Sequence, residues 1–446
     1  MLEQALRTLL DLLEVLRPPL TRPGFTNLLV VFVGWVLTAG PHAVTCALLA
    51  TGVAGRRHHE AFHRFFSRGT WKPDQLGYGL LLVLVRMLSD EAPLRLVVDD
   101  TICSKKGPEV FGLGTHVDAV RSTKRHRAFC FGHCWVVLAV LVDVPFSRRP
   151  WALPILLRLY RTKKECRRHR SVYRKKTELA KEMLAVVLSW LPQRRIDLAA
   201  DSAYCNRTVL RELPKRVVVF GAMCAKAQLT ALPPPAKPGK PGRRRLRGET
   251  LPNPQALAHD QAAPWHRTTA WLYGRKQTVY YKTLCAQWYR VYGAPLVRVV
   301  VVRVDTGHIG FPVFFSTDPA LSICSLLESY AGRWSIEVTF KNLKQQLGFA
   351  DSSARKQEAV ERVAPLVALM YTVLVLWMAT GVHRTELATP PTRPWYRHKR
   401  DLSFADVLRA AQRALVHLDV LEIKQSLARL RKSPAYPPSS SLPMVR

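Results

Sequence analysis

Leu94-Arg95-Leu96-Val97-Val98-Asp99-Asp100-Thr101 is the stretch on which the reading of this chain turns. Its apolar run has the length and β-branched content of a buried strand, and it ends in two adjacent carboxylates. A second run of the same kind, Ile196-Asp197-Leu198-Ala199-Ala200, ends in Asp201. Carboxylates at the ends of neighbouring strands converge, and converging carboxylates repel unless protonated or bridged by a cation. A divalent metal is the simplest compensation. Two such ions about 3.5–4 Å apart activate a water and stabilise the leaving oxygen of an in-line phosphodiester displacement. Taken singly, Asp99 or Asp201 could instead cap a turn or a helix.

Working outward, WVVLAVLVD (135–143) and WALPILLRLY (151–160) read as further strands covered on both faces. Leu179, Met183, Val186, Val187 and Trp190 then share one face of a helix that Pro192 stops. NRTVLREL (206–213) reads as a short helix and RVVVFG (216–221) as the next strand. Three consecutive strands, a helix, a strand, a helix and a strand match an RNase H-like α/β layout. PPPAKPGKPGRRRLRG (233–248) cannot pack a core and reads as an exposed loop or basic arm. Residues 266–316 are β-rich and read as an insertion between two halves of the core. Asp318 and Pro319 read as an N-cap and first-turn proline opening a helical region through YAGRWSIEVTFKNLKQQLG (330–348).

The expected organisation is therefore a helical, DNA-contacting segment at 1–91 and a first core segment at 92–226. A basic loop and β-rich insertion follow at 227–317, a second core segment at 318–385, and a helical tail at 386–446 that loosens from about 433. The first segment carries a basic, His-rich run, RRHHEAFHRFFSRGTW (56–71).

Composition narrows the function. The 446 residues hold 67 Lys+Arg against 32 Asp+Glu, a net charge of +35, which is too basic for an ordinary metabolic enzyme. At 48% hydrophobic the chain buries a sizeable core, which excludes a disordered basic tail protein. The charge calls for a polyanion, nucleic acid first and anionic membrane second. Nine scattered cysteines without a signal peptide read as reduced thiols of a cytoplasmic protein. Cys130 and Cys134, with His126 and His133, have loosely zinc-like spacing, but no second ligand pair follows. The uncharged stretch Gly24–Gly55 is cut by Gly40-Pro41-His42 into runs too short to span a membrane, and Ala364–Val382, though long enough, reads as a core helix.

In the late helical region Tyr330, Arg333, Glu337, Lys341 and Lys344 recur at steps of three and four, which places them on one face of an unbroken helix. Trp334, Val338, Phe340 and Leu343 are expected to pack on its other faces. A face with one Glu among cations holds metal at the carboxylate and phosphate at the bases. The plainer alternative is an exposed Glu–Lys helix.

Tyr330, Arg333, Glu337 and Lys344, at these spacings, form the Y-R-E-K signature of a large branch of bacterial insertion-sequence transposases with a DDE triad. LVVDDTICSKKG (96–107) resembles that family's first-Asp region, in which the metal-binding Asp precedes a Thr by two positions, and LAADSAYCN (198–206) resembles its second-Asp region. The N-terminal helices resemble the branch's DNA-binding region. The resemblance covers about residues 94–350. It implies an RNase H-like catalytic core and cleavage at transposon ends followed by strand transfer, dependent on two Mg²⁺ or Mn²⁺ ions. It implies a metal-binding catalytic triad of Asp99, Asp201 and Glu337, with Asp100 as the alternative to Asp99. Tyr330, Arg333 and Lys344 would contact DNA phosphates, joined by Lys341 from the same helix face, and Trp265, Trp271 or Trp288 would stack a flipped base in a member that cuts through a hairpin. The implied partners are the double-stranded terminal repeats and target DNA, bound by a dimer in the bacterial cytoplasm and nucleoid, with no membrane. The rivals are a metal-dependent nuclease without strand transfer, a catalytically inactive DNA-binding relative, and a membrane protein with a basic face.

Overall fold

A computed structural model describes residues 2–107, 109–123, 125–235, 245–303, 311–391, 394–395, 399 and 401–421. The middle of the basic arm and the chain end from 422, where a loose Pro/Ser tail was expected, lie outside the described residues. The N-terminal elements are α1 (Leu2–Glu14), α2 (Arg22–Leu37), α3 (Val44–Ala50), α4 (Glu60–Ser67) and α5 (Pro73–Arg86). Next come β1 (Leu94–Ser104), β2 (Gly114–Val117), β3 (Phe129–Val142), β4 (Trp151–Tyr160), α6 (Lys163–Arg168), α7 (Lys176–Trp190), β5 (Ile196–Ala200), α8 (Arg207–Leu210) and β6 (Val217–Ala222). They are followed by β7 (Leu229–Thr230), β8 (Thr250–Leu251), α9 (Pro254–His259), β9 (His266–Leu272), β10 (Arg275–Gln287), β11 (Leu296–Arg303) and β12 (Val313–Ser316). The last described helices are α10 (Ile323–Gly332), α11 (Ser335–Gln346), α12 (Gln357–Ala379) and α13 (Phe404–Leu415). The chain is mixed α/β, and it divides into two compact units whose limits cut across the segments expected from sequence.

One unit comprises Met1–Ala92, Asp100–Arg174 and Val338–Arg446. Thr21 caps α2 by accepting the Gly24 N–H, and Pro23 sits in the first turn where it forfeits no helical hydrogen bond. Gly34 lets α3 approach α2 closely, because a Cβ there would lie 2.2 Å from the Ala47 carbonyl oxygen. Strands β3 and β4 form an antiparallel pair whose register shifts at Leu138/Ala139, opposite Pro154, which has no N–H for the ladder. Among the described residues α12 is the one helix long and apolar enough to cross a membrane, and 94% of its apolar window is buried within the protein. The Thr372 hydroxyl donates to the Pro154 carbonyl and the Trp377 indole to the Ala5 carbonyl, so α12 is tied to β4 and α1.

The other unit comprises Pro93–Asp99 and Lys175–Glu337. Its sheet starts at the first half of β1, which pairs in parallel with β5, and β5 in parallel with β6. Beyond β6 the order is β12, β11 and β10, in an antiparallel ladder that carries β9 and the short β7–β8 pair. The β-rich segment expected as an insertion thus extends the sheet: β12 pairs directly with β6 through Phe314–Ala222 and Ser316–Phe220. Without that pairing β6 would be an open edge. Val218, Phe220, Val300, Val302, Leu326 and Leu327 close a core between this sheet and α10, and each such side chain contributes about 1.5–3 kcal/mol on burial.

Two local expectations are corrected. Asp318-Pro319 forms a turn, with Asp318 Oδ1 accepting the Ala320 N–H at 3.0 Å, and α10 begins at Ile323 under a Ser322 cap. The helical region is also interrupted. α10 ends at Gly332, and the Arg333 and Trp334 N–H groups bond back three residues to Tyr330 and Ala331. This tighter winding resets the helical phase. Phe340 and Leu343 are buried as expected, whereas Trp334 and Val338 are 48% and 42% exposed.

Candidate active site

Strands β1 and β5 run in parallel with Val97 beside Ala199 and Val98 beside Ala200. Asp99 and Asp201 each follow directly on the last paired residues, Val98 and Ala200. Asp201 begins the turn into α8: its carbonyl accepts the Tyr204 N–H at 2.9 Å and the Cys205 N–H at 3.1 Å, and its carboxylate accepts the Ser202 N–H. The turn is anchored by buried Cys205, whose thiol fits only because Gly221 on β6 has no side chain; a Cβ there would lie 2.1 Å from the sulfur. Burial, reinforced by the Asp201 charge, pushes the Cys205 pKa up, so it stays a neutral thiol.

Arg333, at the turn between α10 and α11, joins the acids. One end of its guanidinium donates to Asp99 Oδ2 at 3.1 Å and the other to Glu337 Oε1 at 2.9 Å. The Arg333 side chain is 13% exposed, and its buried Nε has no hydrogen-bond partner among the described residues. Burial works against its charge, but Tyr330, Asp99 and Glu337 outweigh that cost and raise its pKa. The Tyr330 ring lies 5.7 Å from the guanidinium carbon and 4.6 Å from the Phe314 ring. Burial raises the Tyr330 pKa, Arg333 pulls it down and Asp201 pushes it up, for a net rise that keeps the hydroxyl protonated.

Asp100 lies in the first-described unit, where its Oδ2 accepts the Cys134 thiol at 3.4 Å. Neither Asp99 nor Asp100 ends the strand, because β1 continues to Ser104. Lys341 and Lys344 are exposed on later turns of α11. Lys344 lines a cleft of about 550 Å³ with His42, Gln346, Arg409 and Gln412. His133 is held at the Phe111 carbonyl at 2.8 Å, and its pKa is depressed to about 4 by burial.

Among the described residues no three His, Cys, Asp or Glu side chains are gathered tightly enough to hold a metal ion. The donor set at the strand ends is nonetheless that of a hard divalent cation, carboxylate oxygens only. The positive charge that Asp99 and Glu337 require is supplied in this arrangement by Arg333. In donor chemistry and charge the residues fit such an ion.

The three tryptophans separate by exposure. Trp265 sits beside Lys282 at 4.8 Å and Arg303 at 5.3 Å, and Trp288 is buried against Phe315. Trp271 is 46% exposed near the tip of the β9–β10 hairpin, where Tyr273 is 51% exposed. The hairpin turns through Tyr273 and Gly274, both at positive φ (53° and 81°), as a two-residue turn matched to strand twist requires. Glu328 of α10 fixes this hairpin by accepting the Trp271 N–H at 2.7 Å. Tyr273 was missed in the sequence; the signal was a Tyr-Gly pair between two β-rich runs.

A protein-family model described as DDE superfamily endonuclease matches residues 16–282. The match takes in Asp99 and Asp201 and ends before Arg333 and Glu337. No curated protein matches the chain.

Proposed function

The chain belongs to the DDE superfamily of endonucleases, and on that premise we propose that it is a bacterial insertion-sequence transposase of the Y-R-E-K branch. It cuts DNA at the ends of its element and joins those ends to target DNA. The observation that carries the reading is the guanidinium that ties Glu337 to Asp99, and the parallel β1–β5 pairing, whose last pair directly precedes Asp99 and Asp201, supports it. The strand order within the second unit supports an RNase H-like core.

Asp99, Asp201 and Glu337 are the residues that would hold two Mg²⁺ or Mn²⁺ ions. When bound, such ions supply an activated water or hydroxyl nucleophile and stabilise the leaving oxygen. The chain's remaining groups position the DNA. Tyr330 and Arg333 donate to phosphate oxygens at the cut, and Lys341 and Lys344 neutralise phosphates further along. Trp271, exposed on its hairpin, presents a face on which a flipped base stacks. Two ends cut in concert require two copies on the DNA.

The test is incubation of the protein with Mg²⁺ and DNA flanking its own gene, followed by mapping of cuts and of joined products. Cuts at the element ends with joined products are expected. Cuts without joining would identify a nuclease that lacks strand transfer, and binding without cuts an inactive relative.

A further inference from the structure

We propose that Arg333 is the resident counter-cation of the acidic site: it occupies the place between Asp99 and Glu337 that a divalent ion takes, so metal enters by exchange against this arginine. The proposal rests on the reading of Asp99, Asp201 and Glu337 as metal ligands. A single guanidinium spans the two carboxylates at 3.1 and 2.9 Å and is 13% exposed. That contact sets one positive charge between the two acids and holds them to a single group. Arg333 takes one oxygen of each carboxylate, and a dication drawn to the same two acids would meet the like charge of the guanidinium at close range and be repelled by it.

Arg333 is placed for such an exchange. It lies on the turn between α10 and α11, directly after Gly332, so the guanidinium can leave one carboxylate without unwinding either helix. Its Nε, with no partner among the described residues, gains one if the side chain turns toward a phosphate. Metal loading therefore frees a phosphate-binding group, and DNA that captures this group eases metal loading. The two affinities rise together, because such coupling is reciprocal.

The experiment is Mn²⁺ titration of the full-length protein without DNA, by calorimetry and by electron paramagnetic resonance of free Mn²⁺, on wild type, Arg333→Gln, Arg333→Lys and Glu337→Gln. Arg333→Gln is expected to bind Mn²⁺ more tightly, on the order of tenfold, the scale of one lost charge-assisted pair. It is also expected to melt earlier without metal. Arg333→Lys keeps the charge but cannot bridge both acids, so it falls between the two and serves as the test variant if Arg333→Gln does not fold. Wild-type binding that Glu337→Gln abolishes, with no tightening in a folded Arg333 variant, overturns the exchange and leaves the triad standing. No Mn²⁺ bound by wild type or by any Arg333 variant overturns both.

Discussion

The acidic strand ends and the β9–β10 hairpin tip are served by one helix and built on opposite principles. At the strand ends each named group has its partner within the protein: Asp99 and Glu337 share Arg333, and Asp201 holds its own turn. At the hairpin tip Trp271 and Tyr273 stand half-exposed, while Glu328 secures the backbone and Leu272 packs on the core. Helix α10 connects them, with Glu328 on the hairpin and Tyr330 and Arg333 toward the acids. Charges whose geometry decides a reaction must be held before substrate arrives, because reorganising them during reaction costs rate. A stacking surface works only if its face is left open.

The comparison breaks most sharply if the acids are not the chemical site. Asp201→Ala and Glu337→Ala are each expected to reduce cleavage at element ends to below a few per cent of wild type while still binding DNA, since phosphate contacts come from other residues. Cutting well above that level in either variant, measured on end-labelled DNA, would detach the strand ends from the reaction.

Asp99→Asn and Asp100→Asn sharpen it within one strand. The first is expected to eliminate Mg²⁺-dependent cleavage, while the second still cuts and melts slightly earlier, having weakened its contact with the Cys134 thiol. The reverse result would make Asp100 the ligand.

On the hairpin, Trp271→Ala is expected to slow end processing about tenfold, within the roughly 1–3 kcal/mol of one base–aromatic stack, and to leave Tm unchanged. Trp288→Ala, which empties a buried site, should instead cost about 3–5 kcal/mol of stability. If the exposed and buried tryptophans behaved alike, the hairpin would have no special part in binding.

Smaller effects come from the exposed lysines and the turn itself. Lys341→Ala and Lys344→Ala should each reduce the slope of log affinity against log salt by about 1, without preference for DNA sequence. Tyr273→Gly relieves a side chain held at φ 53°, so the variant should gain on the order of 1 kcal/mol in denaturant unfolding. A loss of stability there would mean that the Tyr273 ring is packed more firmly than its exposure indicates.

Much of this was legible along the chain. The apolar runs before Asp99 and Asp201, the α7 helix face, the apolar α12 and the basic excess follow from local periodicity and composition, although β1 runs on past Asp99 to Ser104, and burial of each apolar run depends little on what lies opposite. The failures were local in a different way. Gly332 and the turn after it interrupt a helix whose spacing had looked continuous, and Ser322 outcompeted Asp318 as a cap. Cys205 and Gly221 are unremarkable residues in sequence, and only the Ala200–Gly221 pairing shows that one makes room for the other.

The sequence by itself determined which residues could form the sheet, which acids followed their apolar runs and that the partner must be a polyanion, because these depend on side-chain polarity read a few residues at a time. Tertiary structure alone decided that β1 pairs with β5, that the 266–316 strands extend the sheet at β6, and that Trp271 of the three tryptophans is open. It also decided that Arg333 holds Asp99, 234 residues away in the chain. Contacts at that separation are chosen by how strands align and helices pack, and no local pattern of residues encodes them.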